Sequence, residues 1–409
     1  MIIRARILVT MHEAPIQNGA VAVSEKRIVD VGRFDDIKTR NAGNVVDLGE
    51  QALLPGLLNA HCHLDYTCLR GKIAPQKSFT DWIQAINAEK SELSAKDYIA
   101  SINDGFAEAK RFGTSAIANL TGFPELISQV QSPIRTSWFA ELIDIRTPGR
   151  ANELVDSAIE SLGNARPNLP AVREPGAPRG LAPHALFTAS KNLFRRCEEV
   201  AQQEHILLTT HLAESREEME MFRDASGPLY EFMKNIGRPV DECGTRTPLG
   251  VFLGAAGGRA VPNWIVAHLN ELTETDFHLL ERSNSKFHIV HCPRSHNYFG
   301  HSPFAFDRLR SLGFNICLGT DSLASNESLS LFAEMRAFRK EFPSVSGAKI
   351  FELVTVNPAR ALRQERECGK ICRGTHADLI AVPSNGSDLF EEIIASIDEP
   401  WMMLAGQIQ

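Results

Sequence analysis

Short apolar runs alternate with longer amphipathic segments through the middle of the chain. Between about residues 110 and 325, runs rich in β-branched and apolar residues are separated by segments that mix charged and apolar residues. Such runs are typical of buried strands and such mixtures of surface helices, so the pattern predicts repeated strand–helix units. The predicted strands are a run that ends at His63, Thr114 to Leu120, Thr136 to Ile143, Arg179 to Pro183, Ile206 to His211, Trp264 to His268, Lys286 to His291 and Asn315 to Gly319.

Eight strands in this order predict an α/β fold, a (β/α)8 barrel of the TIM type. Predicted surface helices are Asp97 to Phe112, Ser190 to Gln203 and Glu214 to Asp224, and Glu174 to Arg179 is a predicted loop. We expect the barrel to occupy residues 54–364.

The two chain ends have a different pattern. Residues 1–53 contain short alternating segments, among them Ile7 to Thr10, Gly19 to Val23 and Arg27 to Val31, and Asp378 to Pro383 resembles a further strand. Neither end is long enough to close a core alone. We therefore expect residues 1–53 and 365–409 to pack together as one small β-sandwich domain.

The charge balance restricts the class of partner. The chain has 43 basic and 50 acidic residues and a net charge of −7, without a basic run, which argues against nucleic acid. No segment approaches about 18 uninterrupted apolar residues, and Arg4 and Arg6 lie where a signal peptide needs an apolar region. We expect a cytoplasmic protein that acts on a small molecule and does not bind membranes. Homo-oligomerisation stays open.

Two histidines one residue apart close the first predicted strand. Side chains at positions i and i+2 of a strand leave on the same face, so His61 and His63 can present two imidazole nitrogens to one cation. The fourth to eighth predicted strands also end in, or are followed closely by, a polar residue. These are His184, His211, His268, His291 and Asp321. Catalytic residues of such barrels gather at the carboxyl ends of the strands, although a buried histidine bonded to a carbonyl is the alternative for each.

Two carboxylates extend this set. Glu214 follows His211 by three residues, which suits a proton shuttle that does not bind the metal itself. Asp321 follows a strand and a glycine, and its carboxylate suits both metal binding and acceptance of the first proton. Three imidazoles and one carboxylate leave a position for water, as a catalytic site requires.

Several motifs together resemble the amidohydrolase superfamily, and more narrowly its mononuclear aminohydrolases. They are Pro55 to His63, Thr210 to Glu214, His268, Gly319 to Asp321, Asn357 to Leu362 and Gly374 to Ile380. The resemblance implies that His61, His63, His211 and Asp321 bind one zinc or iron ion. It also implies that the catalytic groups are Glu214, His268 and Asp321. The fourth strand ends in Ala182-Pro183-His184, so the bridging lysine of binuclear members has no evident counterpart.

The resemblance also implies hydrolytic deamination of an aromatic ring. The preferred substrate is an adenine-type nucleoside such as aminodeoxyfutalosine, which would place the enzyme in menaquinone biosynthesis. S-adenosylhomocysteine, methylthioadenosine or adenosine deamination, guanine or pterin deamination, and chlorohydrolysis are alternatives. The remote alternative is a non-catalytic binding or assembly protein on the same fold.

Four residues are candidate substrate contacts. His184 and Ser325 lie at or just beyond strand ends, Trp82 follows the first strand, and Arg294 lies in a polar and aromatic segment after the seventh. Arg294 suits a ribose or a carboxylate. The alternatives are a helix-core position for Trp82 and a salt bridge at the barrel rim for Arg294.

Overall fold

A computed structural model describes residues 1–164, 178–255, 264–283, 286–385 and 388–409. Residues 174–177 of the predicted loop lie outside these ranges. The strands are β1 (Ile2–Leu8), β2 (Ile16–Ser24), β3 (Arg27–Arg33), β4 (Val45–Asp47), β5 (Gln51–Pro55), β6 (Leu57–His63), β7 (Thr114–Thr121), β8 (Arg135–Leu142), β9 (Gly180–Pro183), β10 (Leu207–Leu212), β11 (Trp264–His268), β12 (His288–His291), β13 (Asn315–Leu318), β14 (Asp321–Ser322), β15 (Leu379–Pro383), β16 (Trp401–Leu404) and β17 (Gln407–Ile408).

The helices surround and connect these strands. They are α1 (Phe34–Arg40), α2 (Phe79–Ser91), α3 (Ala95–Arg111), α4 (Ala151–Asn164), α5 (Lys191–Glu204), α6 (Arg216–Asp224), α7 (Pro228–Asn235), α8 (Pro248–Ala255), α9 (Glu274–Arg282), α10 (Pro293–Phe299), α11 (Phe306–Ser311), α12 (Leu331–Glu341), α13 (Gly347–Glu352), α14 (Val356–Ala361) and α15 (Leu389–Ala395). Across the described residues, none of them combines the length and apolarity that a membrane crossing needs.

The central sheet is a parallel barrel. Strands β6 to β13 pair in chain order, and β14 pairs with β6 in parallel, with Asp321 opposite Cys62 and Ser322 opposite His63. β13 and β14 are two parts of the eighth strand, so this pairing closes the sheet. The predicted (β/α)8 fold is confirmed.

The eighth strand is interrupted at Gly319 and Thr320. Their amides donate to the carbonyls of His291 and His61, at 3.0 and 3.1 Å, and thereby bridge the strands on either side. A Cβ at Gly319 would lie 2.7 Å from the His61 carbonyl oxygen, so the chain passes there only without a side chain. This close approach brings the start of β14 beside the end of β6.

A second sheet joins the two chain ends, as predicted. Its order is β17-β16-β15-β5-β1-β2-β3, and β4 pairs with β1. β15 runs antiparallel to β5, so the C-terminal segment is bonded directly to the N-terminal one. A separate apolar cluster that includes Ile3, Val21, Leu53, Leu379 and Met403 fills this domain.

The apolar run that precedes His63 is divided between the two sheets. Gln51–Pro55 pairs with β15, whereas Leu57–His63 pairs with β7 in the barrel. Gly56 lies between them, and a Cβ there would lie 2.4 Å from the Ser115 hydroxyl. The boundary predicted between residues 53 and 54 therefore falls within β5. Both segments are almost wholly buried, so their composition does not reveal the division.

Candidate active site

A cavity of about 460 Å³ opens at the carboxyl ends of the barrel strands. Most of the residues proposed for metal binding and catalysis line it, although they come from strands far apart in the chain. They are His63, His211, Glu214, His268 and Asp321. The barrel thus gathers these side chains at the end where such folds carry their chemistry.

Three histidines form the floor of the site. The ligand atoms of His61, His63 and His211 all lie within 4.8 Å of one another, and the Nε2 atoms of His63 and His211 are 3.1 Å apart. His61 is fully buried, and neither of its ring nitrogens has a hydrogen-bond partner among the described residues. A buried imidazole without partners costs free energy unless a ligand satisfies it. This donor set fits a divalent cation.

The surroundings leave the ligand atoms free. Nδ1 of His211 donates to the carbonyl of His184 at 2.9 Å, which directs the lone pair of Nε2 toward the other histidines. Nδ1 of His63 lies 3.6 Å from a carboxylate oxygen of Glu141. Burial holds the pKa of His61 and His63 well below the usual imidazole value, with neighbouring histidines adding to it. Both rings are therefore neutral, as metal binding requires.

Asp321 stands beside this floor in a strained backbone conformation. Its φ of 55° lies in the left-handed region, and its Oδ1 is 3.8 Å from Nε2 of both His61 and His63. The amide of Ser322 donates to Oδ1 at 2.8 Å, and the hydroxyl of Ser295 donates to Oδ2 at 2.7 Å. These bonds fix the carboxylate with one oxygen toward the histidines.

Glu214 and His268 complete the group on the other side. A carboxylate oxygen of Glu214 is 3.6 Å from Nε2 of His268, and the ligand atoms of both residues and of Asp321 lie within 4.8 Å of one another. Burial raises the pKa of Glu214 well above the usual carboxyl value, and Asp321 and Glu218 raise it further. Burial lowers the pKa of His268, assisted by His211. The pair therefore places a carboxyl group with a raised pKa beside an imidazole with a lowered pKa.

Glu141 belongs to this site although the sequence analysis did not single it out. It lies near the end of β8, and its side chain, 5% exposed, lines the cavity with one oxygen 3.6 Å from His63 and 4.0 Å from His184. Burial raises its pKa. The signal that identified the histidines, a polar residue at the end of a predicted strand, was present here as well.

The four predicted substrate contacts divide into two groups. Trp82 and His184 line the cavity, and Nδ1 of His184 lies 2.7 Å from the Thr188 hydroxyl. Ser325 lies behind Asp321, with its hydroxyl 2.9 Å from that of Ser295. Arg294 pairs with Glu327 at 3.1 Å, outside the described lining of the cavity. This ion pair corresponds to the salt-bridge alternative for Arg294.

Helix α2 forms one wall of the cavity. Residues of one helical face line it, and they are Phe79, Trp82, Ile83, Ile86, Asn87 and Lys90. The amides of Phe79 and Thr80 donate to the Glu217 carboxylate at 2.8 and 3.0 Å, and the Thr80 hydroxyl donates to it as well. Glu217 lies on α6, three residues after Glu214, so the wall is attached to the segment that carries the acid.

Sequence comparison assigns the chain to a family. The profile of the Amidohydrolase family matches residues 52–399, which is most of the chain. The chain belongs to the amidohydrolase family. The predicted family is confirmed, and the protein is an enzyme.

Relatives of this amidohydrolase carry related names. It is 27% identical over 399 residues to the 5-methylthioadenosine/S-adenosylhomocysteine deaminase of Nitratidesulfovibrio vulgaris, covering 93% of this chain and 83% of the relative. It is 26% identical over 339 residues to the aminodeoxyfutalosine deaminase of Deinococcus radiodurans, covering 80% of this chain and 77% of the relative.

Solved structures show the same fold. The Helicobacter pylori aminofutalosine deaminase in complex with methylthio-coformycin superposes with a TM-score of 0.84 at 20% identity, over 100% of this amidohydrolase and 99% of that chain. A Xanthomonas campestris adenosine deaminase with bound zinc superposes with a TM-score of 0.78 at 23% identity, over 100% of this chain and 92% of that chain.

Proposed function

We propose that the protein is a metal-dependent hydrolytic deaminase that replaces the 6-amino group of an adenine-type nucleoside with oxygen. The observation that carries the proposal is the convergence of His61, His63 and His211 with Glu214 and Asp321 at the base of one cavity. A cation-binding floor beside a protonated acid is what addition of water to an aromatic ring carbon requires.

The chain offers a complete ligand set for one cation. His61, His63, His211 and Asp321 would hold it, and zinc is the proposed ion, with iron as the alternative. Bound there, a divalent cation supplies a nucleophile at neutral pH, because it lowers the pKa of water from about 15.7 toward 7. The unpartnered nitrogens of His61 support this assignment.

The side chains divide the proton transfers between them. Asp321 takes a proton from water while the water oxygen bonds to the amino-bearing ring carbon. Glu214 gives its proton to the adjacent ring nitrogen. His268 hydrogen-bonds the new oxygen through Nε2, which has no other hydrogen-bond partner among the described residues. The proton held by Asp321 then passes to the amine, the carbon–nitrogen bond breaks and ammonia leaves. The hydroxyl proton of the intermediate passes to Glu214 as the carbonyl forms, which restores both carboxyl groups to their starting states. Transfers of this kind contribute about 10²–10⁴-fold each.

The substrate preference rests on the relatives and on the cavity. Curated relatives are named for methylthioadenosine, S-adenosylhomocysteine and aminodeoxyfutalosine, all of which contain adenine. The cavity is large enough for a nucleoside and presents both aromatic and polar side chains. We take aminodeoxyfutalosine as the leading candidate, and menaquinone biosynthesis as its setting. The other adenine nucleosides come next, followed by guanine, pterins and chlorinated triazines.

A substrate panel tests the proposal directly. Purified protein loaded with zinc is incubated with each of these compounds, and ammonia release and the adenine-to-hypoxanthine absorbance change are recorded. We expect turnover of at least one adenine nucleoside and none of the triazine. Stoichiometric metal with no ammonia from any compound would contradict deamination and favour a binding protein on this fold.

A further inference from the structure

The cavity carries an aromatic end and a basic end along the same helix. Phe79 and Trp82 lie at the start of α2, where their rings stack 6.0 Å apart and Phe79 meets Phe187 edge to face. Lys90 lies eleven residues after Phe79, which is about 16 Å along a helix. One wall therefore changes from aromatic to cationic over a length greater than that of a purine.

Lys90 has a cation–π contact but no ion pair among the described residues. Its ammonium lies 4.7 Å from the centre of the Tyr66 ring, and that ring stacks on His63 at 5.9 Å. Among the described residues, no carboxylate forms an ion pair with Lys90, although the side chain is half-buried in a cavity with apolar walls. A cation in such a place is stabilised by an anion that enters from outside.

Two acidic residues, Glu141 and Asp144, line the basic end, and neither forms an ion pair with Lys90. Glu141 faces His63 at 3.6 Å, and Asp144 accepts from the amide and hydroxyl of Ser190 at 2.6 Å each. Arg146 lines the same end from the segment after β8 and is exposed at the opening. The basic end thus offers one half-buried cation and one exposed cation to a ligand.

We propose that Lys90 binds a carboxylate on the substrate, with Arg146 assisting at the opening. The substrate is then an adenine nucleoside whose sugar carries an anionic tail, and the inference rests on the proposed function. A carboxylate matches the single half-buried charge of Lys90. A phosphate dianion carries a second negative charge, which would have to be met by Arg146. Because Arg146 is exposed, solvent screens that contact. The aliphatic side chains of Ile83, Ile86 and Ile143 suit the apolar part of the tail.

This assignment orders the candidate nucleosides. S-adenosylhomocysteine and aminodeoxyfutalosine both carry a carboxylate, whereas adenosine and methylthioadenosine are neutral. The ammonium group of S-adenosylhomocysteine is unfavourable beside Lys90 and Arg146. We therefore expect aminodeoxyfutalosine to be preferred over S-adenosylhomocysteine, and both over the neutral nucleosides.

A matched pair of substrates tests the role of Lys90. The pair is a thioether analogue of S-adenosylhomocysteine that lacks the amino group but keeps the carboxylate, and the corresponding primary amide. We expect kcat/KM for the acid to exceed that for the amide by about 10- to 100-fold, mainly through KM. Lys90→Met removes this ratio, Lys90→Arg retains most of it, and Lys96→Met, on the exposed face of α3, leaves it unchanged.

Other outcomes overturn the inference. An equal loss for acid and amide in Lys90→Met would show a structural role, and faster turnover of adenosine monophosphate than of the acid would identify a phosphate site. Dissociation constants measured calorimetrically with zinc-loaded Glu214→Gln give the same comparison without turnover. If the acid binds no more tightly than the amide, the inference fails even where adenosine is deaminated. If the acid binds more tightly but nothing is deaminated, the proposed function fails instead.

Discussion

The histidine cluster at the carboxyl end of the barrel and the Arg135–Asp378 pair at the amino end satisfy buried polar groups in opposite ways. At the carboxyl end, ring nitrogens of His61 and His268 and an oxygen of Glu141 are buried without hydrogen-bond partners among the described residues. At the amino end, Arg135 at the start of β8 donates to Asp378 at 2.8 Å, and the amide of Ala405 donates to the other oxygen of Asp378 at 2.7 Å.

The carboxyl end also contains strained backbone. Ala213, His268 and Asp321, all at the carboxyl end, have φ values of 49°, 71° and 55°, a region that costs free energy for residues other than glycine. At the amino end, the bonds from Arg135 and the Ala405 amide to Asp378 join the barrel to the second sheet. One end of the same fold is therefore organised to receive ligands, and the other to stabilise the chain.

Removal of a metal ligand should give the largest effect. His211→Ala deletes the imidazole whose Nε2 faces His63, so we expect loss of bound metal and of detectable deamination. Metal content by plasma mass spectrometry and ammonia release check this. His278→Ala, an exposed histidine on α9, is the matched control and should retain both. Stoichiometric zinc in His211→Ala would remove this residue from the ligand set.

Glu214→Gln should separate catalysis from metal binding. The amide keeps the shape of the side chain but cannot supply the proton, so we expect kcat to fall by about 10²–10⁴-fold with metal content unchanged. Steady-state kinetics and metal analysis on the same preparation measure both. Loss of metal equal to that of His211→Ala would show that Glu214 is a ligand.

At the amino end, substitution should affect stability and not chemistry. Arg135→Met leaves the carboxylate of Asp378 buried without its charged partner, and we expect the free energy of unfolding to fall by about 3–5 kcal/mol. Urea denaturation measures the change, and kcat per folded molecule should be retained. Arg150→Met removes an exposed pair with Glu153 and should have little effect, since such pairs contribute little. Similar losses in the two variants would contradict the contrast.

A smaller loss is expected where the two sheets meet. In Gly56→Ala, the new methyl group would overlap the Ser115 hydroxyl, so we expect destabilisation of about 1–3 kcal/mol. Gly149→Ala is the control, because nothing lies within 4 Å of the added atom. Thermal unfolding of both variants provides the comparison, and an unchanged midpoint for Gly56→Ala would mean that the junction relaxes freely.

The contrast also explains what the sequence predicts. The barrel strands are buried on both faces, so they appear as apolar runs, and the polar residues that end them reach the rim whatever the helices do. Hence His61, His63, His211 and Asp321 could be placed from their order alone. His291 ends a strand in the same way, yet its ring stacks on Phe304 at 4.1 Å, outside the described cavity lining.

The cavity walls could not be predicted in the same way. They come from segments whose direction depends on tertiary packing, such as α2 and the residues after β8. Arg294 was expected in the pocket because of its neighbours in sequence, but α10 carries it to the rim beside Glu327. Lys90 stands on a helix whose amphipathic pattern suits any surface position. The same limit applies to Gly56, where a continuous apolar run conceals a change of sheet.

The attachment of α2 to Glu217 has a consequence for movement of the cavity wall during turnover. Opening this wall would break the bonds from both amides of Phe79 and Thr80 and from the Thr80 hydroxyl at the same time. The segment of residues 143–147 is held by a different element, because Asp144 accepts from the amide and hydroxyl of Ser190, just before α5. We therefore expect α2 to remain attached to α6 from one turnover to the next.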